Sequence, residues 1–208
     1  MTIATLVPVG VMGYLLGCIQ TAYIVGRRFG RIDIREHGSS NAGASNITQV
    51  MGWKYGVLTA VVDILKAVLA VIIARLLFPD SDIHVFVAGV LAVIGHIFPV
   101  FLKFRGGKGA ASLIGMMLAF DFRIGLVIIA AIVILAIIVD YIAIGTIAMY
   151  ALIPVLTYIL DYPIACTVIG ALLAVIGILK HRINIRRILK HEEKGLRTTL
   201  KKRKGLKL

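Results

Sequence analysis

The chain has 208 residues, 60% of them hydrophobic and only 16% charged. A soluble domain carries about 25% charged residues and no more than about half apolar ones, so this balance excludes an ordinary soluble fold. The formal net charge of +13 would suggest nucleic acid in a soluble protein; here the charge is confined to a few loops and a tail, which points to a membrane surface and no nucleic-acid partner.

A membrane-crossing helix needs about 20 apolar residues. In chain order, the apolar runs predict an all-α integral membrane bundle of about seven transmembrane helices, over residues 3–26, 55–78, 83–102, 109–120, 124–139, 142–160 and 163–179. The first run has no basic residues before it, which reads as a retained span instead of a cleaved leader. Asp63 and Lys66 fall inside the second. Charges there are costly in lipid, and a spacing of three predicts an internal pair of structural character. The long stretch 109–139 is interrupted at Asp121-Phe122-Arg123. Its first piece rises only about 18 Å, a half-helix or an irregular span. Cys18 and Cys166 sit at opposite predicted depths, which argues against a disulfide. No Cys or His spacing suggests a metal.

Lys and Arg accumulate on cytoplasmic loops. Arg27, Arg28, Arg31, Arg35 and Lys54 share one loop, Lys103, Arg105 and Lys108 a second, and the remainder the tail from Lys180; only Lys66, Arg75 and Arg123 lie elsewhere. Asp80, Asp82, Asp121 and Asp161 mark the opposite side. Seven spans with the N-terminus outside and the C-terminus cytoplasmic put all three basic clusters on one face.

Three polar patches interrupt the apolar pattern on that predicted face. The first runs from His37 through Gly38, Ser39, Ser40, Asn41, Gly43 and Ser45 to Asn46, where small residues expose backbone N–H groups to an anion. A turn-rich loop explains some of these residues, but ten in succession exceed one turn. The second holds His96 and then Arg105-Gly106-Gly107-Lys108-Gly109, opening an apolar helix at Ser112. Glycines, a lysine and a helix N-terminus together suit a phosphate, although the spacing is not that of a Walker A loop. A lone histidine at this depth is more often a packing residue than a catalyst. In the third, His181 and Asn184 lie one turn apart and share a face if the last span continues as a helix, with Arg187 and Glu193 following.

In this order the patches resemble the bacterial acyl-phosphate:glycerol-3-phosphate acyltransferase family (the PlsY family). The likeness runs from Gly13-Tyr14-Leu15-Leu16-Gly17 to about Glu193. It rests on Gly38–Asn46, on Gly95-His96-Ile97-Phe98-Pro99 with Phe104–Ser112, and on His181, Asn184, Ile185, Arg187 and Glu193. The resemblance implies seven spans in the bacterial inner membrane with the active site at the cytoplasmic face. It implies transfer of an acyl group from acyl phosphate to the 1-hydroxyl of glycerol 3-phosphate, forming lysophosphatidic acid, with no metal or other cofactor. The partners implied are the two substrates, membrane lipid and an enzyme that supplies acyl phosphate. Residues 1–194 would form one acyltransferase domain and residues 195–208 a basic cytoplasmic tail.

The residue chemistry fits. An acyl phosphate is already activated, so the protein has only to hold two phosphates, align a hydroxyl with a carbonyl and stabilise the developing oxyanion. By position, Ser39, Lys108, His181 and Asn184 would carry the reaction. Gly38, Ser40, Asn41, Gly43, Ser45, Asn46, Gln49, His96, Arg105, Gly106, Gly107, Gly109, Ser112, Thr146, Arg187 and Glu193 would form the substrate and phosphate cradles. Gln49 stands where the family carries arginine, Ala143 where it carries serine, and Ser40 where it carries glycine. These departures leave two other readings open: an acyltransferase with another acceptor, or a non-catalytic paralogue that binds anionic lipid or phosphate.

Overall fold

The computed structural model describes residues 3–193 and 195–197. Regular structure among them is helical: α1 (Ile3–Gly17), α2 (Thr21–Val25), α3 (Ala44–Met51), α4 (Trp53–Leu77), α5 (Asp82–Ile97), α6 (Ala110–Phe120), α7 (Phe122–Val139), α8 (Ile142–Ile159), α9 (Ile164–Lys180) and α10 (Arg182–Leu189). A π-helical turn follows α2, and short 3-10 turns cover Ile34–Glu36 and Val100–Leu102.

The first apolar run read from the sequence holds two helices, α1 and the short α2; each of the other six holds one, α4 to α9. The α1–α2 stretch, α4, α5, α7 and α8 are long and apolar enough to cross a bilayer, and α9 joins them when taken with α10, from which it is bent by 48°. The short α6 has 11 residues, about 16 Å of rise, well under the ~30 Å of a hydrocarbon core. Its break is a capped junction: Asp121 accepts the Arg123 backbone N–H at 2.8 Å and the Tyr162 hydroxyl at 2.8 Å, and pairs with the Arg123 guanidinium at 2.7 Å.

Small residues bring the helices together. Gly13 and Gly17 share one face of α1, where any Cβ would collide with the Ala88 and Ala92 carbonyls of α5. With no hydrophobic drive between helices in lipid, such backbone approach is what van der Waals association requires. Outward, Leu58, Val61, Leu65, Leu69, Ile72 and Leu76 of α4 stay exposed, an apolar stripe facing lipid. Cys18 and Cys166 are buried and free.

Asp63 and Lys66 form the expected pair, at 2.8 Å and nearly fully buried. The pair is not isolated, however: the Lys66 ammonium also lies 2.9 Å from Nδ1 of His96 on α5.

Candidate active site

The first patch is a loop wound around one side chain. Asn46, at the start of α3, is fully buried. Its amide N–H₂ faces the carbonyls of Ile34, His37 and Asn41 at 2.9–3.0 Å, and its oxygen accepts the Ser39 backbone N–H at 2.8 Å. With its polar atoms engaged by backbone, Asn46 shapes the loop. Gly38 and Ser40 take left-handed conformations, φ +59° and +58°, which a glycine adopts freely and a serine at a cost of about 1–2 kcal/mol. Asp33 anchors the loop's entry by accepting from the Arg35 backbone N–H at 3.0 Å and from its guanidinium at 2.7 Å. Those hydrogen bonds hold its carboxyl at about 2. Arg35 also donates to the Leu102 carbonyl at 3.2 Å, tying the first loop to the second.

In the second patch, backbone approach excludes side chains at consecutive glycines. A Cβ on Gly106 would strike the His96 carbonyl; one on Gly107 would strike His96 Nε2 and lie 3.0 Å from the Ala42 carbonyl. The Gly107 N–H donates to the His96 carbonyl at 3.0 Å. Gly109 turns the chain into α6 at φ +84°. The carbonyl of Lys108 accepts the Tyr150 hydroxyl of α8 at 2.8 Å. The buried Ser112 hydroxyl, near the start of α6, has no hydrogen-bond partner among the described residues.

The third patch closes on the second. The Lys108 ammonium donates to Oδ1 of Asn184, whose amide N–H donates to Glu193 at 2.6 Å. Burial lowers the pKa of Lys108; Arg187 and Lys180 push the same way, while Glu193 opposes them. His181 sits at the bend beyond α9, where burial pushes it down to about 4, so it is neutral near pH 7. Its Nδ1 lies 2.8 Å from the Gly177 carbonyl and must be the donor there, which leaves Nε2 as an acceptor.

Most of the expected set therefore meets at one end of the bundle, with Ala42 of the first patch against Gly107 and Lys108 against Asn184. His181 lies at the α9–α10 bend and Asn184 in the first turn of α10, so the two do not sit along one continuous helix. Ser39 and Asn41 are half-buried in the first loop and Gly43 is buried there, while Ser45 and Gln49 lie exposed one turn apart on α3. Arg105 is exposed and Arg187 half-buried. Thr146 is buried on α8 and bonds back to the Ile142 carbonyl at 3.0 Å. Tyr150, Asp33 and Arg35 were not singled out from the sequence. The signal for Tyr150 is faint, a polar-tipped aromatic one turn beyond Thr146; Asp33 and Arg35 are one acid and one base in a charged loop.

Known proteins resemble this chain in sequence and fold. The family profile described as glycerol-3-phosphate acyltransferase matches residues 7–191. Glycerol-3-phosphate acyltransferase 1 of Oceanobacillus iheyensis is 38% identical over 192 residues, covering 89% of this chain and 92% of that one. The crystal structure of PlsY, an integral membrane glycerol 3-phosphate acyltransferase, in its glycerol 3-phosphate form superposes with a TM-score of 0.85 at 29% identity, covering 92% of this chain and 95% of that one. Its lysophosphatidic acid form gives 0.80 at 30% identity over 93% and 96%.

Proposed function

Because this chain belongs to the glycerol-3-phosphate acyltransferase family, we propose that its polar end binds acyl phosphate and glycerol 3-phosphate together and transfers the acyl group between them. The observation that carries this reading is the meeting of all three patches around Gly107 and Lys108. The glycerol 1-hydroxyl oxygen attacks the acyl carbonyl carbon and the carbonyl–phosphate C–O bond breaks. The hydroxyl proton passes to the departing phosphate, giving 1-acylglycerol 3-phosphate and inorganic phosphate. Lys108 neutralises a phosphoryl oxygen. Nε2 of His181, an acceptor, and Asn184, held between Lys108 and Glu193, position the glycerol end of the acceptor. Ser39 and the backbone N–H groups of the first loop receive the other phosphate. Twelve Lys and Arg from Lys180 onward, with those of the two loops, support reading this end as the cytoplasmic face of a bacterial inner membrane crossed seven times. The residues from 195 onward are the basic tail. A separate enzyme that makes acyl phosphate supplies the donor.

The test is turnover by the purified chain in lipid vesicles. Palmitoyl phosphate plus glycerol 3-phosphate should yield the 1-acyl product and one equivalent of phosphate. Absence of product with this pair overturns the proposal. Product only with another acceptor supports the broader acyltransferase reading, and an inert wild type revived by Gln49→Arg supports the non-catalytic paralogue.

A further inference from the structure

The mechanism above uses neither Asp63 nor Lys66, yet both approach the second patch from beneath. They stand on the inward face of α4, at 1% and 4% exposure, where charged groups persist only if their hydrogen-bonding capacity is met. The Lys66 ammonium has three N–H bonds and three partners: Asp63 Oδ1 at 2.8 Å, the Ile19 carbonyl at 2.6 Å and His96 Nδ1 at 2.9 Å. Thr21 adds a hydrogen bond to Asp63 at 3.0 Å. An ammonium can only donate, so Nδ1 of His96 is the bare nitrogen and the imidazole proton sits on Nε2. Asp63 is farther from Nδ1, at 3.6 Å, and its Oδ1 already receives Lys66 and Thr21. The backbone of His96 is held too, its carbonyl accepting from Gln20 at 3.1 Å and from the Gly107 N–H at 3.0 Å.

The consequence lies on the other side of the ring. Nε2 makes no hydrogen bond among the described residues and borders Gly107, where any Cβ would strike it. A donor with no acceptor faces the glycine whose neighbour, Lys108, carries the cradle's charge. We propose that Asp63 and Lys66 are positioning residues for acyl transfer, fixing His96 as the Nε2–H tautomer so that this N–H donates to a phosphoryl oxygen of bound substrate. The inference rests on the acyltransferase reading for the identity of the phosphate, which belongs to acyl phosphate or to glycerol 3-phosphate. Which ring nitrogen carries the proton is set by the partner of the other, and here that partner is a lysine on the preceding helix, thirty residues away in sequence.

The experiment uses the full chain with ¹⁵N-labelled histidine in nanodiscs, the His96 signals being assigned by their loss in His96→Gln. Wild type should show a protonated Nε2 and an unprotonated Nδ1. Glycerol 3-phosphate alone, or a non-hydrolysable acyl phosphonate alone, should shift the Nε2–H resonance, and whichever does so names the phosphate. In Lys66→Met the nearest partner of Nδ1 becomes the Asp63 carboxylate, so the proton should move to Nδ1. KM for that same substrate should then rise roughly 10- to 100-fold, the value of a hydrogen bond to a charged group, with kcat changing much less. The double variant Asp63→Asn/Lys66→Met presents an amide donor to Nδ1, and should restore both the tautomer and KM. A wild type protonated at Nδ1 overturns the inference, as does an Nε2–H signal that neither ligand moves. A folded Lys66→Met whose tautomer switches while KM stays put also overturns it. The wild-type spectra decide the matter alone should Lys66→Met not fold. They are independent of turnover, so an inert wild type would refute the acyltransferase reading and leave the tautomer measurement standing.

Discussion

Replacing Lys108 with methionine keeps an unbranched apolar stem in the same space and removes only the ammonium. In the structure that ammonium donates to Asn184, and on the proposed reading a phosphoryl oxygen of bound substrate is its second partner. Hydrogen bonds to charged groups contribute about 1.5–3 kcal/mol each. Losing both raises the barrier by about 3–6 kcal/mol, a fall in kcat/KM of about 10²- to 10⁴-fold. Stability should change little, since the same substitution removes a charge that burial disfavours. The protonation equilibrium gives a second signature. Burial lowers Lys108, so wild-type kcat/KM should decline as pH rises through a value below the ordinary lysine range near 10.4. In that window the unfolded chain holds more protons than the folded one, so stability rises while activity falls. Lys108→Arg, still a cation at any of these pH values, should keep part of the activity and lose this alkaline decline. The assay is glycerol-3-phosphate-dependent phosphate release from palmitoyl phosphate in vesicles between pH 6 and 10, with thermal unfolding alongside. Lys108→Met turning over within threefold of wild type, at an unchanged unfolding temperature, would refute the reasoning.

Tyr150→Phe leaves the buried Lys108 carbonyl without its donor; stability should drop by about 1–2 kcal/mol and kcat/KM by about tenfold, read from chemical denaturation and initial rates. Gly107→Ala places a methyl group between His96 and Ala42 and should abolish turnover while the protein still inserts and purifies as wild type does. Asp33 has a folded value of about 2, below its unfolded value, so the stability it contributes is present above about pH 4 and lost as pH falls through 2. That is about 2 kcal/mol, absent in Asp33→Asn, and visible by comparing the unfolding of both proteins at pH 3 and pH 6. Ser40→Gly relieves a left-handed serine and should raise stability by up to about 1 kcal/mol, measured as a higher unfolding temperature.

The helices were legible because lipid imposes a simple rule: apolar length makes a span, and charge stops it. That rule located α4 to α9 and the interruption at Asp121. It also grouped Gly38–Asn46, Gly106–Lys108 and His181–Asn184 at one end, because positive charge tracks one face. What the rule does not contain is lateral neighbourhood. Lys66 and His96 lie thirty positions apart on different helices, so the link between them exists only after α4 and α5 pack. Tyr150 reads as one more apolar residue until its hydroxyl is seen to reach the loop before α6. Asn46 reads as a ligand contact until its amide is found to be the axle of its own loop. The bend between α9 and α10 leaves no trace in composition, since His181 and Asn184 suit a straight helix equally well.

The Lys108 carbonyl is held by a tyrosine eight residues into α8 from Ile142, about 12 Å of helix rise from that end. A loop moored there travels with its mooring, so a tilt of α8 would carry the Lys108 backbone along with it.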